Sequence, residues 1–122
     1  MTDPSFVLLY VDDPVRSAAF YERLLGKKPV DLAPTFALFV LASGWKLGLW
    51  LRREVQPPAF AMGGGAELCF PVPDAAAVDA AHAAWRAQGV AIAQPPCQMD
   101  FGYTFTGLDP DGHRLRVFHP AG

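Results

Sequence analysis

Long apolar runs are absent from this 122-residue chain. The opening MTDPSFVLLYVDDP carries a charge at Asp3, and its apolar stretch from Phe6 to Val11 is too short for a signal peptide or a membrane span. The expectation is a cytoplasmic protein with no membrane partner. A surplus of positive charge is absent too: 10 Lys and Arg against 12 Asp and Glu leave a formal charge of -2, which supplies no basic field for nucleic acid. Cysteine is scarce. Cys69 lies in an apolar strand-like run and Cys97 in a Pro-Pro-Cys loop, so in a reducing compartment both read as free thiols and not as a disulfide framework. Cys97 has no neighbouring His or helix start that would activate it. The signature of disorder is also missing, with 52% hydrophobic and 18% charged residues. What remains is a globular chain sized for a single domain over 1–122, whose expected partner is a small molecule or a second copy of itself.

Phe6 to Val11 reads as a strand, and the turn-prone Asp12-Asp13-Pro14 leads into a helix with apolar spacing at Val15, Ala18, Ala19, Leu24 and Leu25, ended by Gly26. Strands are expected near Pro29 to Leu32, at Phe36 to Leu41 and at Lys46 to Leu51. A Pro- and Gly-rich connector at 56–65 follows. The same order then begins again: a strand at Glu67 to Val72, a helix from Ala75 to Gln88 ended by Gly89, and strands at Val90 to Ala93, Tyr103 to Leu108 and Arg114 to His119. Aligning Val11 with Val72 sets Phe6 opposite Glu67 and superposes the two Asp/Pro turns. The chain therefore reads as α+β, two copies of one βαβββ unit at about 1–55 and 66–122.

A sheet with a helix on one face leaves the other face free to close around a ligand. The last two strands meet at Asp109-Pro110-Asp111-Gly112, a tight turn. Counting outward from it pairs Phe105 with Arg116 and Tyr103 with Phe118, which would set these four on one face.

The duplicated unit, the opening pattern VxDxxRSxxFYERLLG from Val11 to Gly26 and the closing DPDGH together resemble the vicinal oxygen chelate superfamily, the glyoxalase/bleomycin resistance fold. The resemblance covers nearly the whole chain. It implies curved mixed sheets enclosing a cavity, in a homodimer, and a membership that ranges from metal-dependent lyases and dioxygenases to drug-binding resistance proteins. Catalytic members place His or Glu at four equivalent strand positions to hold a divalent ion. Transferred to this chain, those positions are Phe6, Gly48, Glu67 and Arg116. Only Glu67 has a metal-binding side chain, and Arg116 would bring a permanent positive charge. His82, His113 and His119 read as surface or helix-packing residues, and Asp109 to Gly112 lacks the later Glu of a calcium loop. The expectation is no metal, no cofactor and no catalytic residue.

Further stretches resemble one branch, the resistance proteins for phenazine antibiotics: Lys27-Lys28-Pro29-Val30, the Ser43-Gly44 turn before Leu49-Trp50, and Asp100 through Phe105 with Asp109 through His113 and Arg116-Val117. The residues agree with that role. Gly48 removes a side chain where a flat ring could lie, Trp50 two residues on should face the same cavity, and a Trp face stacks on planar ligands. Phe6, Tyr103 and Phe105 complete the expected apolar wall, with Phe60 and Met62 on the connector either completing the pocket or forming a lid over it. Phe36, Phe39, Phe101 and Phe118 read first as core or dimer packing. Glu67 and Arg116 should approach each other, either as a structural pair or as a group that orients a polar substituent of the ligand. The leading expectation is non-catalytic sequestration of a planar aromatic antibiotic. The alternatives are a lyase or dioxygenase with displaced metal ligands, a metal-free catalyst using Glu67 as base, and a regulatory partner domain with an exposed apolar face.

Overall fold

The computed structural model describes residues 1–61 and 63–121. The chain divides into two compact units, Met1–Ala61 and Met62–Gly122. The first contains β1 (Phe6–Val11), α1 (Pro14–Leu25), β2 (Asp31–Ala33), β3 (Phe36–Val40) and β4 (Lys46–Leu51), followed by a short 3-10 turn at Arg52–Glu54. The second contains β5 (Glu67–Pro71), α2 (Ala75–Ala87), β6 (Ala91–Met99), β7 (Gly102–Leu108) and β8 (Arg114–Pro120). Each unit is one four-stranded mixed sheet, ordered β1-β4-β3-β2 and β5-β8-β7-β6. In both, the first strand runs parallel to the last and the remaining pairs are antiparallel. The expected α+β fold of two βαβββ units is present.

Both helices begin on an aspartate that satisfies free backbone amides. Asp13 accepts from the amides of Val15 and Arg16, and Pro14 in the first turn needs no partner for a missing N–H. Asp74 accepts from the amide of Ala77. Gly26, at φ 68°, ends α1 in the left-handed conformation and donates to the Glu22 carbonyl.

The helices cover one face of their sheets. In the first unit Ala18 and Tyr21 of α1 are buried, as are Ala37, Phe39, Leu47 and Leu49 at alternate sheet positions. In the second unit Trp85 of α2 packs edge-on against Phe105 at 5.1 Å and Phe70 at 5.8 Å. Period-two alternation then turns the other residues of each strand to the open face.

Two expectations need correction. The strand expected at Val90 to Ala93 runs on to Met99. Pro95 and Pro96 fit because β6 is an edge strand, where a missing N–H costs no ladder bond, and the ladder shifts register on either side of Gln94. The β7–β8 pairing is also offset by one residue from the count made from the turn. Arg116 lies across from Thr106, Val117 from Phe105, Phe118 from Thr104 and His119 from Tyr103. Gly112 at φ 82° follows the turn, and the Asp109 amide donates to the His113 carbonyl at 3.0 Å, which adds the bulge residue that moves the register.

Candidate ligand-binding site

On the open face of the first unit the ladder sets Tyr10, Trp50 and Phe36 in one row and Leu8, Gly48 and Leu38 in the next. Phe6, Leu8 and Tyr10 remain substantially exposed, and Tyr10 meets Trp50 edge-on at 6.3 Å. Trp50 therefore lies on the Gly48 side of the sheet, as the alternation required. The slot expected above Gly48 is filled. A Cβ at Gly48 would meet Leu8 Cδ2 at 2.6 Å, Phe36 Cζ at 2.9 Å and Phe6 Cε1 at 3.0 Å. Apolar side chains have collapsed into the space that the missing side chain left, as dense packing favours. The result is an apolar, aromatic surface and not a gap.

The open face of the second unit carries a polar cluster ringed by aromatics. Arg116 Nε donates to Glu67 Oε1 at 2.7 Å and Nη2 to Glu67 Oε2 at 2.9 Å. Its Nη1 donates to Gln94 Oε1 at 3.0 Å and to Thr104 Oγ1 at 3.2 Å. The Thr104 hydroxyl donates to the Val117 carbonyl at 2.8 Å, which leaves its oxygen free to accept from the arginine. Phe101 lies over the guanidinium at 5.5 Å and meets Phe118 nearly edge-on at 6.2 Å. Glu67, Cys69, Phe101, Arg116 and Phe118 line an open concavity of about 290 Å³.

The electrostatics follow from this geometry. The Arg116 hydrogen bonds hold the Glu67 carboxyl below its ordinary range against the opposing effect of burial. The Glu67 partner in turn raises the already high Arg116 value. Burial, helped by the Glu67 charge, pushes the Cys69 thiol up, so Cys69 is a wall and not an activated nucleophile. Both cysteines are free thiols.

Tyr103 and Phe105 are not on this face. Phe105 is fully buried against α2, with the His82 ring at 5.2 Å, and the Tyr103 hydroxyl donates to Asp79 Oδ1 of α2 at 2.8 Å. The bulge at Gly112 is the reason: one extra residue in the hairpin sends both rings to the helix side. Phe60, on the connector, is 92% exposed and stands clear of the described packing. Met62 lies outside the described residues. Sequence reasoning missed Phe101, Cys69, Gln94 and Thr104. Parity gives a signal for one of these: Cys69 lies two residues from Glu67 on β5 and so shares its face.

The four positions that the resemblance assigns to metal ligands supply no ligand set in either unit. Phe6 and Gly48 offer no donor, Arg116 offers only cationic donors, and Glu67 is already engaged by it. Among the described residues no group of three or more His, Cys, Asp or Glu is placed to share an ion.

The glyoxalase/bleomycin resistance protein/dioxygenase superfamily model matches residues 4–117. The chain belongs to this superfamily. The chain is 29% identical over 120 residues to the phenazine antibiotic resistance protein EhpR of Enterobacter agglomerans, covering 93% of this chain and 89% of that one. Among solved structures, protein ATC0852 of Agrobacterium tumefaciens is 57% identical with a TM-score of 0.93 and full coverage of both chains. A glyoxalase-related enzyme of Fulvimarina pelagi has a TM-score of 0.85 at 24% identity, covering 100% of this chain and 94% of that one, a likeness of fold alone. No helix of the described residues is long and apolar enough to cross a membrane.

Proposed function

We propose that this superfamily member binds a planar aromatic small molecule, an antibiotic such as a phenazine, and sequesters it without breaking a bond. The observation that carries this reading is the second-unit concavity, where Phe101 and Phe118 stand nearly perpendicular beside an ion pair that neutralises itself. A flat ring can stack on one phenyl and receive the edge of the other. The Trp50, Tyr10 and Phe36 row gives the first unit an aromatic open face of its own, without an ion pair. Support also comes from the likeness to the Enterobacter phenazine resistance protein over most of both chains. We further propose a cytoplasmic homodimer, in which the exposed apolar strand positions of β1 are covered by the second copy.

Sequestration works through affinity and abundance and not through turnover. Titration of the purified protein with phenazine, followed by recovery of the ligand, tests this. Saturable binding with chemically unaltered phenazine is the expected result. A stoichiometric bound transition metal, or a ligand that returns transformed, would contradict it. Size-exclusion chromatography with light scattering should give twice the chain mass, and a monomer would remove the dimer.

A further inference from the structure

The Arg116 guanidinium sits in a pocket wall, where an arginine is expected to grip an acidic ligand, yet the structure has already spent it. All three nitrogens donate to protein acceptors: Nε and Nη2 to Glu67, and Nη1 to Gln94 and Thr104. Its side chain is only 14% exposed, and the Phe101 ring lies over the group. Glu67 takes the fork that a ligand carboxylate would need, in the bidentate geometry that makes this pairing strong. Arg114, 3.9 Å from Glu67 Oε2, is half exposed and does not line the concavity, so it gives no fixed anchor there.

We infer that Glu67 is a specificity-determining residue that closes this site to acidic ligands, leaving it to recognise the faces of an uncharged planar aromatic. This rests on the aromatic-binding reading above and adds to it the charge class of the ligand. The exclusion is a matter of occupancy. A ligand carboxylate finds the Arg116 fork already held by Glu67 and would have to displace that carboxylate to use it. An uncharged ring does not need the fork and keeps the contacts with Phe101 and Phe118.

The test is a parallel calorimetric titration of the full chain with phenazine and with phenazine-1-carboxylate near neutral pH, repeated on Glu67→Ala. Wild type should bind phenazine about tenfold or more tighter than the carboxylate, and Glu67→Ala should move that ratio toward the carboxylate by about tenfold or more, because the fork is released. Glu67→Gln, which keeps the side-chain volume, should move it in the same direction and serves if the alanine variant unfolds. A wild-type preference for the carboxylate overturns the inference while leaving aromatic binding intact. So does a preference for phenazine that neither Glu67 variant changes. Failure of wild type to bind either compound overturns the aromatic-binding reading, and this inference with it.

Discussion

Glu67 accepts from Arg116 through both oxygens, and that interaction holds its carboxyl below the ordinary range. The sign of the pH dependence follows. A carboxyl depressed in the folded state adds stability above its unfolded value and loses it as pH falls through the folded one. Wild type should therefore lose stability in acid, below about pH 4, more steeply than Glu67→Gln, as read from denaturant midpoints across that range. Equal slopes would mean the pair contributes nothing to folding. Phe105 and Phe60 make the opposite contrast at the same scale. Phe105 is fully buried between Trp85 and His82, so Phe105→Ala should cost about 3 to 5 kcal/mol in chemical denaturation. Phe60 is exposed, and Phe60→Ala should stay within about 0.5 kcal/mol.

At the scale of elements, one glycine decides which residues belong to the site. Gly112 at φ 82° holds the bulge that offsets β7 from β8. Gly112→Ala strains that conformation and should destabilise the protein by about 1 to 2 kcal/mol, measured by thermal or urea unfolding. Removing the α1 cap in Asp13→Ala leaves the Val15 and Arg16 amides without their acceptor and should cost about 0.5 to 2 kcal/mol. Most element positions were legible in the sequence because caps, glycines and alternation are local signals. The twin Asp caps, Gly26 and Gly89 marked both helices without tertiary information. The hairpin register was not legible, since DPDG fits both a simple turn and a turn plus bulge, and one residue of difference exchanges Phe105 for Thr106 on the pocket face. Pro95 and Pro96 hid the second half of β6 for a similar reason: only its place at the sheet edge makes them tolerable.

For the whole molecule, the duplicated unit gives two sheets with one face packed on a helix and one face open, and the two open faces differ in chemistry. The first is aromatic along its Tyr10, Trp50 and Phe36 row and aliphatic at Leu8 and Leu38 in the next, with Gly48 overlaid by its neighbours. The second sets a self-neutralised ion pair among phenyl rings. The sequence foretold the Glu67 and Arg116 encounter because the internal repeat and the family pattern set both at equivalent strand positions. It did not foretell Gln94, Thr104 and Phe101, which reach the guanidinium from β6, β7 and the turn between them. Trp50→Ala should weaken the binding of a planar ligand if the first-unit face contributes, and an unchanged affinity in fluorescence titration would remove Trp50 from the site. The central claim, reversible binding of a planar aromatic, is tested most directly by thermal unfolding of the purified protein across a phenazine concentration series. The account predicts a midpoint that climbs continuously with ligand, since only the folded chain binds it. A midpoint that stays fixed at every phenazine concentration would contradict it.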